Sequence, residues 1–324
     1  MSGPRMSVIM VTPDGFERLG RTFDALRKQS VADQLEIIVV APSKEEAGVD
    51  EADLTGFAGH QVVETGRAES SAVGRAAGVR AATAPVIAFT EDHCFPAAGW
   101  AEALIGAHEG RWAAVGPAFE NGNPRSLTSW VNLLIEYGPW VSPGAAGPRD
   151  HIPPHNSSYK RDLLLAYGNR LDEMLEAETV LQWDLRAQGH DLYLEPAART
   201  RHFNISRLSV TVPLRLAVGR MFGAARAREW SLPRRLAFGA ASPLIPLVRF
   251  ARMVPVARRC DAERRLYPRV LPLLLAGFVV DGFGEFLGYA FRSGGAAERV
   301  TEFEYDRPRN MRPEDRLEWQ EMPS

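Results

Sequence analysis

Cysteine is nearly missing from this chain: Cys94 and Cys260 are the only two. Two isolated thiols exclude a disulfide-stapled scaffold and give no paired-cysteine zinc pattern. Glycine-rich phosphate loops of the P-loop or dinucleotide-binding type are also absent, and no Ser/His/Asp order supports hydrolysis. The N-terminal stretch MSGPRMSVIMVTPDG holds too short an apolar run for a signal peptide, which predicts a cytoplasmic catalytic part. Acidic residues are scarce in one block. Between Arg199 and Arg269 there are 16 arginines against Glu229, Asp261 and Glu263, although the whole chain carries a formal net charge of only −2. The arginines alternate with Leu, Val, Phe and Pro. That mixture suits an anionic membrane surface and argues against nucleic acid as the partner.

With 324 residues the chain has room for one large domain and an appendage. Continuous apolar runs at 7–11, 35–41 and 86–90, with a shorter one at 61–64, read as buried strands. Leu19, Phe23 and Leu26 at helical spacing mark 16–29 as a helix, 70–82 reads as a helix of small residues, and 99–108 as the next helix. Strands alternating with helices predict a mostly parallel sheet covered on both faces. Further on, 112–119 reads as a strand and 126–138 as a helix with Ser126 as its cap. The stretches 157–167 and 174–188 read as helices, and 191–195 as a strand leading to His202. The Gly/Pro-rich loop 139–154 is long enough to be functional. Segment 270–291 has the length of a bilayer span but contains Asp281 and Glu285. An Asp at mid-bilayer costs roughly 2.5–3.5 kcal/mol, so an interfacial helix or one packed on other helices fits equally.

The richest stretch is PVIAFTEDHCFPAAGW, residues 85–100. Its apolar strand ends abruptly in Glu91-Asp92-His93. Carboxylate and imidazole groups are poor core material, but they suit a divalent cation at the edge where open α/β sheets bind ligands.

Four stretches give the first half a resemblance to the family 2 inverting glycosyltransferases. They are SVIMVTPDGFERLGRTFDALRKQS with the following LEIIVVA, SSAVGRAAGVRAATAPVIAFTEDHCFPAAGW, HNSSYKRDLLL, and EAETVLQWDLRAQGHDLYLEPAARTRHFN. The resemblance implies a GT-A fold, a nucleoside-diphosphate sugar as donor substrate and Mg²⁺ or Mn²⁺ as cofactor. The family's Asp-x-Asp metal motif falls on Glu91 and His93, with Asp92 between them as a helper. His202 matches an additional metal or diphosphate contact. Counting back from Gly189, the family's acid pair falls on Ala177-Glu178, which makes Glu178 the implied general base; Glu176, two residues away, faces elsewhere on a helix. Thr12 and Asp14 stand at the nucleotide-binding turn. Arg75 matches the Arg of the family's Arg-Asn-x-Gly motif and is expected to touch the nucleotide or buttress the metal loop. Asn156 is placed beside the donor sugar. The strand ending at Ala41 lacks the family's usual Asp.

These readings combine into three regions: a glycosyltransferase domain at 1–205, an Arg-rich helical membrane-associating region at 206–298, and a charged tail at 299–324. The expected activity is metal-dependent transfer of a sugar to a hydroxyl acceptor. That acceptor is a glycan or lipid-linked molecule at the cytoplasmic face of the cell membrane, with membrane lipids as further partners. The alternatives are a non-catalytic scaffold of the same fold at the membrane and a nucleotidyltransferase.

Overall fold

The structure is a computed structural model and describes residues 3–12, 16–50, 54–66, 70–260, 267–305 and 307–321. The expected turn at 13–15, including Asp14, lies outside the described residues. In chain order the elements are β1 (Met6–Val11), α1 (Phe16–Arg27), β2 (Leu35–Ala41), α2 (Lys44–Ala47), β3 (Gly59–Glu64), α3 (Ser71–Ala81), β4 (Val86–Phe89), β5 (Cys94–Pro96), α4 (Trp100–His108), β6 (Ala114–Asn121) and α5 (Leu127–Tyr137). They continue with β7 (Gly147–Arg149), β8 (Ser158–Lys160), α6 (Arg161–Leu165), α7 (Leu171–Glu176), α8 (Glu178–Ala187) and β9 (Leu192–His202). The remaining helices are α9 (Leu208–Arg226), α10 (Leu232–Ala241), α11 (Ile245–Cys260), α12 (Tyr267–Phe291), α13 (Ala296–Tyr305) and α14 (Pro313–Glu321).

The strands form one mixed sheet in the order β3-β2-β1-β4-β8-β6-β9-β5, with β7 paired to β9. β3, β2, β1 and β4 run parallel, with Val8 opposite both Ile37 and Ala88. β8 pairs antiparallel with β4 and with β6. β1, β2 and β4 are buried on both faces, which is why they read as unbroken apolar runs, whereas β3 at the sheet edge is partly exposed. Successive residues split between two cores. Met6, Val8 and Met10 pack with Leu19, Phe23 and Leu26 of α1 and Trp100 and Leu104 of α4. Ile9 packs with Ile38, Val40, Ile87 and Phe89 against Ala72, Ala76 and Val79 of α3. The small residues of α3 have a steric cause. A Cβ on Gly78 would lie 2.5 Å from Ile9 Cγ2, and one on Gly74 2.8 Å from Val11 Cγ1. Since α1 and α3 lie on opposite faces, the chain reverses its winding between β1 and β4. Parallel α/β sheets open a ligand crevice at such a switch point, at the carboxyl ends of the strands.

Three local readings change. The stretch 157–167 is not one helix: Ser158–Lys160 is strand β8, because Tyr159 pairs with Ile87 on one side and Ala114 on the other. The stretch 174–188 breaks at Ala177 (φ −136°, ψ 80°), so Glu178 opens a helix of its own. The segment 192–202 is a single strand running through Pro196.

The chain divides into two compact units, one of residues 1–120 and 144–201, the other of residues 121–143 and 202–323. Helix α5 therefore packs with the C-terminal helices. Its predicted cap is present: Ser126 accepts a hydrogen bond from the Ser129 amide. The charged tail is helical, as α13 and α14.

Within the second unit, α9 and α12 run parallel in backbone contact through Gly219, Gly223, Gly284 and Gly288. A Cβ on Gly219 would lie 2.2 Å from Asp281 O, and one on Gly284 2.4 Å from Leu216 O. Small residues four apart on both helices permit this approach. Gly284→Ala is expected to cost about 1–3 kcal/mol through overpacking. Gly295→Ala, where the nearest atom is 3.8 Å away, serves as the near-neutral control. Thermal unfolding of the two variants checks this; equal melting temperatures would refute the close contact.

Asp281 and Glu285 face the helix packing, 7% and 2% exposed, and both accept hydrogen bonds from Arg249 of α11. An i, i+4 acid pair closed by one guanidinium offsets much of the cost of carrying carboxylates in an apolar helix. Residues 232–260 and 268–291 are long and apolar enough to cross a membrane by length and composition. Their outward side chains include Leu236, Leu247, Phe283 and Phe291, the last 65% exposed.

Candidate active site

Two polar clusters lie within the first unit. One sits immediately after the C-terminal end of β4. The Cys94 amide donates to Glu91 O at 3.1 Å, which closes a tight turn over Glu91-Asp92-His93. Thr22 Oγ1 of α1 also donates to Glu91 O, at 3.5 Å. Inside the turn, His93 Nδ1 meets Asp92 Oδ1 at 2.7 Å. A carboxylate only accepts, so Nδ1 carries the proton and Nε2 faces away from Asp92. That Nε2 lies 3.5 Å from Glu91 Oε2. Asn156, from the loop before β8, donates its Nδ2 to the same Glu91 oxygen at 2.7 Å. An imidazole nitrogen and a carboxylate oxygen held this close are donor types that one divalent ion takes, so the residues present fit such an ion. A carboxylate with an imidazole suits Mn²⁺ better than the harder Mg²⁺.

The second cluster surrounds Glu178 at the first position of α8. Arg75 of α3 reaches Glu178 Oε1 at 2.7 Å, with side chains 8% and 0% exposed. The His155 amide donates to the same oxygen at 3.0 Å, and its Nδ1 lies 3.4 Å away. Tyr159 donates its hydroxyl to Oε2 at 3.1 Å and receives Gln182 Nε2 at 3.0 Å. Gln182 in turn accepts from the Ile152 amide at 2.9 Å. Burial pushes the Glu178 carboxyl up, but the Arg75 guanidinium and the His155 hydrogen bonds outweigh it and hold the group below the ordinary 4.5. Burial, reinforced by the Glu178 charge, pushes the Tyr159 phenol well above its ordinary value.

The depressed carboxyl has a consequence for stability. A group whose pKa falls on folding stabilises the protein fully above its unfolded value. That contribution disappears as pH drops through the folded value. The stability gap between the wild type and Glu178→Gln is therefore expected to narrow as pH falls below the unfolded carboxyl value and on through the lowered folded one. Urea unfolding across that range measures it; a gap independent of pH would contradict the buried ion pair.

The structure brings Glu91, Asp92, His93 and Asn156 together, and separately joins Arg75 to Glu178. Arg75 was expected to touch the nucleotide or buttress the metal loop. Its guanidinium is engaged by Glu178 and by His155 Nδ1. The reason is geometric: α3 lies on the same face as α7 and α8, and Arg75 NH2 reaches back to Leu175 O. Thr12 follows β1, is buried, and donates its amide to Val40 O at 2.9 Å. His202 closes β9 and belongs to the second unit. There its Nδ1 meets Asn204 Oδ1 at 2.8 Å and its ring packs on Tyr137. Sequence reasoning gave no role to Tyr159, Gln182 or Cys94. The i, i+4 spacing of Glu178 and Gln182 was the available signal for Gln182.

Residues 7–166 match the model of the family described as Glycosyl transferase family 2. No curated protein matches the chain. Among solved structures the chain is similar to GalNAc-T7 with UDP, GalNAc and Mn²⁺, at 16% identity over 61% of this chain, with a TM-score of 0.47. It spans only 43% of the length of that protein. It is also similar to S. aureus TarS 1–349, at 13% identity over 92% of this chain and 90% of the other, TM-score 0.47. The same protein in complex with UDP gives 14% identity over 88% and 91%, TM-score 0.47. Residues 7–166, with their parallel strands and the acidic turn after β4, thus form a glycosyl transferase family 2 region.

Proposed function

We propose that this chain transfers a sugar from a nucleoside-diphosphate sugar to a hydroxyl acceptor with inversion. The observation that carries the reading is the turn at Glu91-Asp92-His93, placed at the switch point of the sheet with its imidazole fixed by Asp92. Glu91 and His93 would hold a divalent cation there; for His202 the family pattern implies a metal or diphosphate contact. Such an ion supplies neutralisation of the charge that develops on a departing diphosphate. Asn156 helps to orient Glu91 and stands where the family pattern puts a donor-sugar contact. Thr12 and Asp14 are assigned to the nucleotide by the same pattern.

Glu178 is proposed as the group that takes the acceptor proton. It is ionised and held by Arg75. Within its cluster His155, one-quarter exposed, lies nearest to solvent, so an acceptor reaches the carboxylate by displacing the His155 side chain. His155 has a φ of 66°, a backbone conformation uncommon for a residue other than glycine.

The exposed apolar residues of α10 to α12, interleaved with arginines, support placing the second unit at an anionic membrane surface. The acceptor is then a lipid or lipid-linked glycan presented at the cytoplasmic face. Release of nucleoside diphosphate from a panel of nucleotide sugars, with Mn²⁺ and with a chelator, tests the activity. Cation-dependent turnover with at least one donor supports the reading. Neither turnover nor cation-dependent nucleotide binding across the panel would leave the scaffold alternative.

A further inference from the structure

We propose that Cys94 is a third protein donor to the cation at the tip of β4, alongside Glu91 and His93. The inference rests on the reading of that tip as a cation site and concerns which ions it prefers. The turn that places Glu91 and His93 also places Cys94. Its amide bonds to Glu91 O at 3.1 Å, and Thr90 Oγ1 donates to the Cys94 carbonyl at 3.4 Å. Held this way, the fully buried Cys94 directs Sγ to 3.9 Å from Glu91 Oε2, the oxygen that also faces His93 Nε2. The donor atoms of Glu91, His93 and Cys94 all lie within 4.8 Å of one another. Ligands bound at about 2.0–2.3 Å around one ion stand roughly 3–4 Å apart, so only a small contraction of this set is required.

An oxygen, a nitrogen and a sulfur donor make a softer site than two aspartates. Binding breaks the S–H bond, releases that proton to bulk solvent and forms a sulfur–metal bond with no change in oxidation state. The site should therefore favour Zn²⁺ and Co²⁺ over Mn²⁺, and hold Mg²⁺ least well.

Cobalt reports the ligand directly. Co²⁺ titrated into the purified full-length chain is expected to give an intense near-ultraviolet sulfur-to-metal band that saturates at one equivalent. Cys260→Ser should keep the band. Cys94→Ser should lose it while still binding Co²⁺ in equilibrium dialysis, at least tenfold more weakly. Co²⁺ bound stoichiometrically with visible bands but no near-ultraviolet band would overturn the role of Cys94 and leave the cation site standing. Loss of the band in Cys260→Ser would overturn it equally. No Co²⁺ binding at all would remove both the ligand and the site. The wild-type and Cys260→Ser spectra decide the matter even if the Cys94 variant fails to fold.

Discussion

Arg75→Met is expected to lower the stability of the first unit by about 3–5 kcal/mol, because it leaves the Glu178 carboxylate buried without its cation. For a domain of this size that corresponds to a fall in Tm on the order of 10 °C. Arg75→Lys should recover part of the loss, since a single ammonium replaces the charge but not the hydrogen bonds to Ser71 and Leu175. The double variant Arg75→Met/Glu178→Leu should recover more, because it removes both buried charges together. A double-mutant cycle by chemical denaturation measures the coupling. If the two single losses simply add, the pair is not the coupled ion pair described above. Glu178→Gln separates stability from chemistry. It keeps the shape and removes the charge, so turnover well below its Tm should fall about 10²–10⁴-fold if Glu178 takes the acceptor proton. Retained turnover would restrict Glu178 to holding Arg75, His155 and Tyr159 in place.

The second large effect is expected at the turn after β4. His93→Ala and Glu91→Gln should each lower cation-dependent turnover about 10²–10³-fold or more, the scale on which removing one group that stabilises developing charge acts. Both variants should retain the fold, because the turn is closed by hydrogen bonds to the Glu91 carbonyl from the Cys94 amide and the Thr22 hydroxyl rather than by these side chains. Asp92→Asn should be milder. An amide oxygen still accepts from Nδ1, so the imidazole keeps its orientation but loses the basicity that a carboxylate partner supplies. Nucleotide binding measured with and without Mn²⁺ distinguishes loss of the cation from loss of the fold. A His93→Ala variant whose cation dependence is unchanged would remove His93 from the site.

Much of the layout was legible before any coordinates. β1, β2 and β4 are buried on both faces, and such strands advertise themselves as unbroken apolar runs. The stretch 70–82 was legible as a helix of small residues; that it presses onto β1 was not. The Ser126 cap was readable because it acts over three residues. Misread segments share a cause. Residues 157–160 look helical locally, yet Tyr159 is fixed as strand by Ile87 and Ala114, which lie far away in the sequence. The strand read at 191–195 is longer, because strand geometry carries through Pro196 to His202.

The same division separates the candidate groups. Sequence by itself determined the family, the alternation of strands and helices, and the presence of Glu91, Asp92 and His93 at the end of a buried strand, because each is written in contiguous residues. It also showed Asp281 and Glu285 at helical spacing inside an apolar segment. Only the tertiary structure decided what these groups do to one another. Arg75 and Glu178 stand 103 residues apart and meet because α3 and α8 pack on one face of the sheet. Arg249 closes the acid pair of α12 from a helix 32 residues earlier. Asn156 reaches Glu91 because β8 inserts beside β4. Pairing of buried charges depends on distance and exclusion of water, and both are set by packing between elements rather than by the order of residues along the chain.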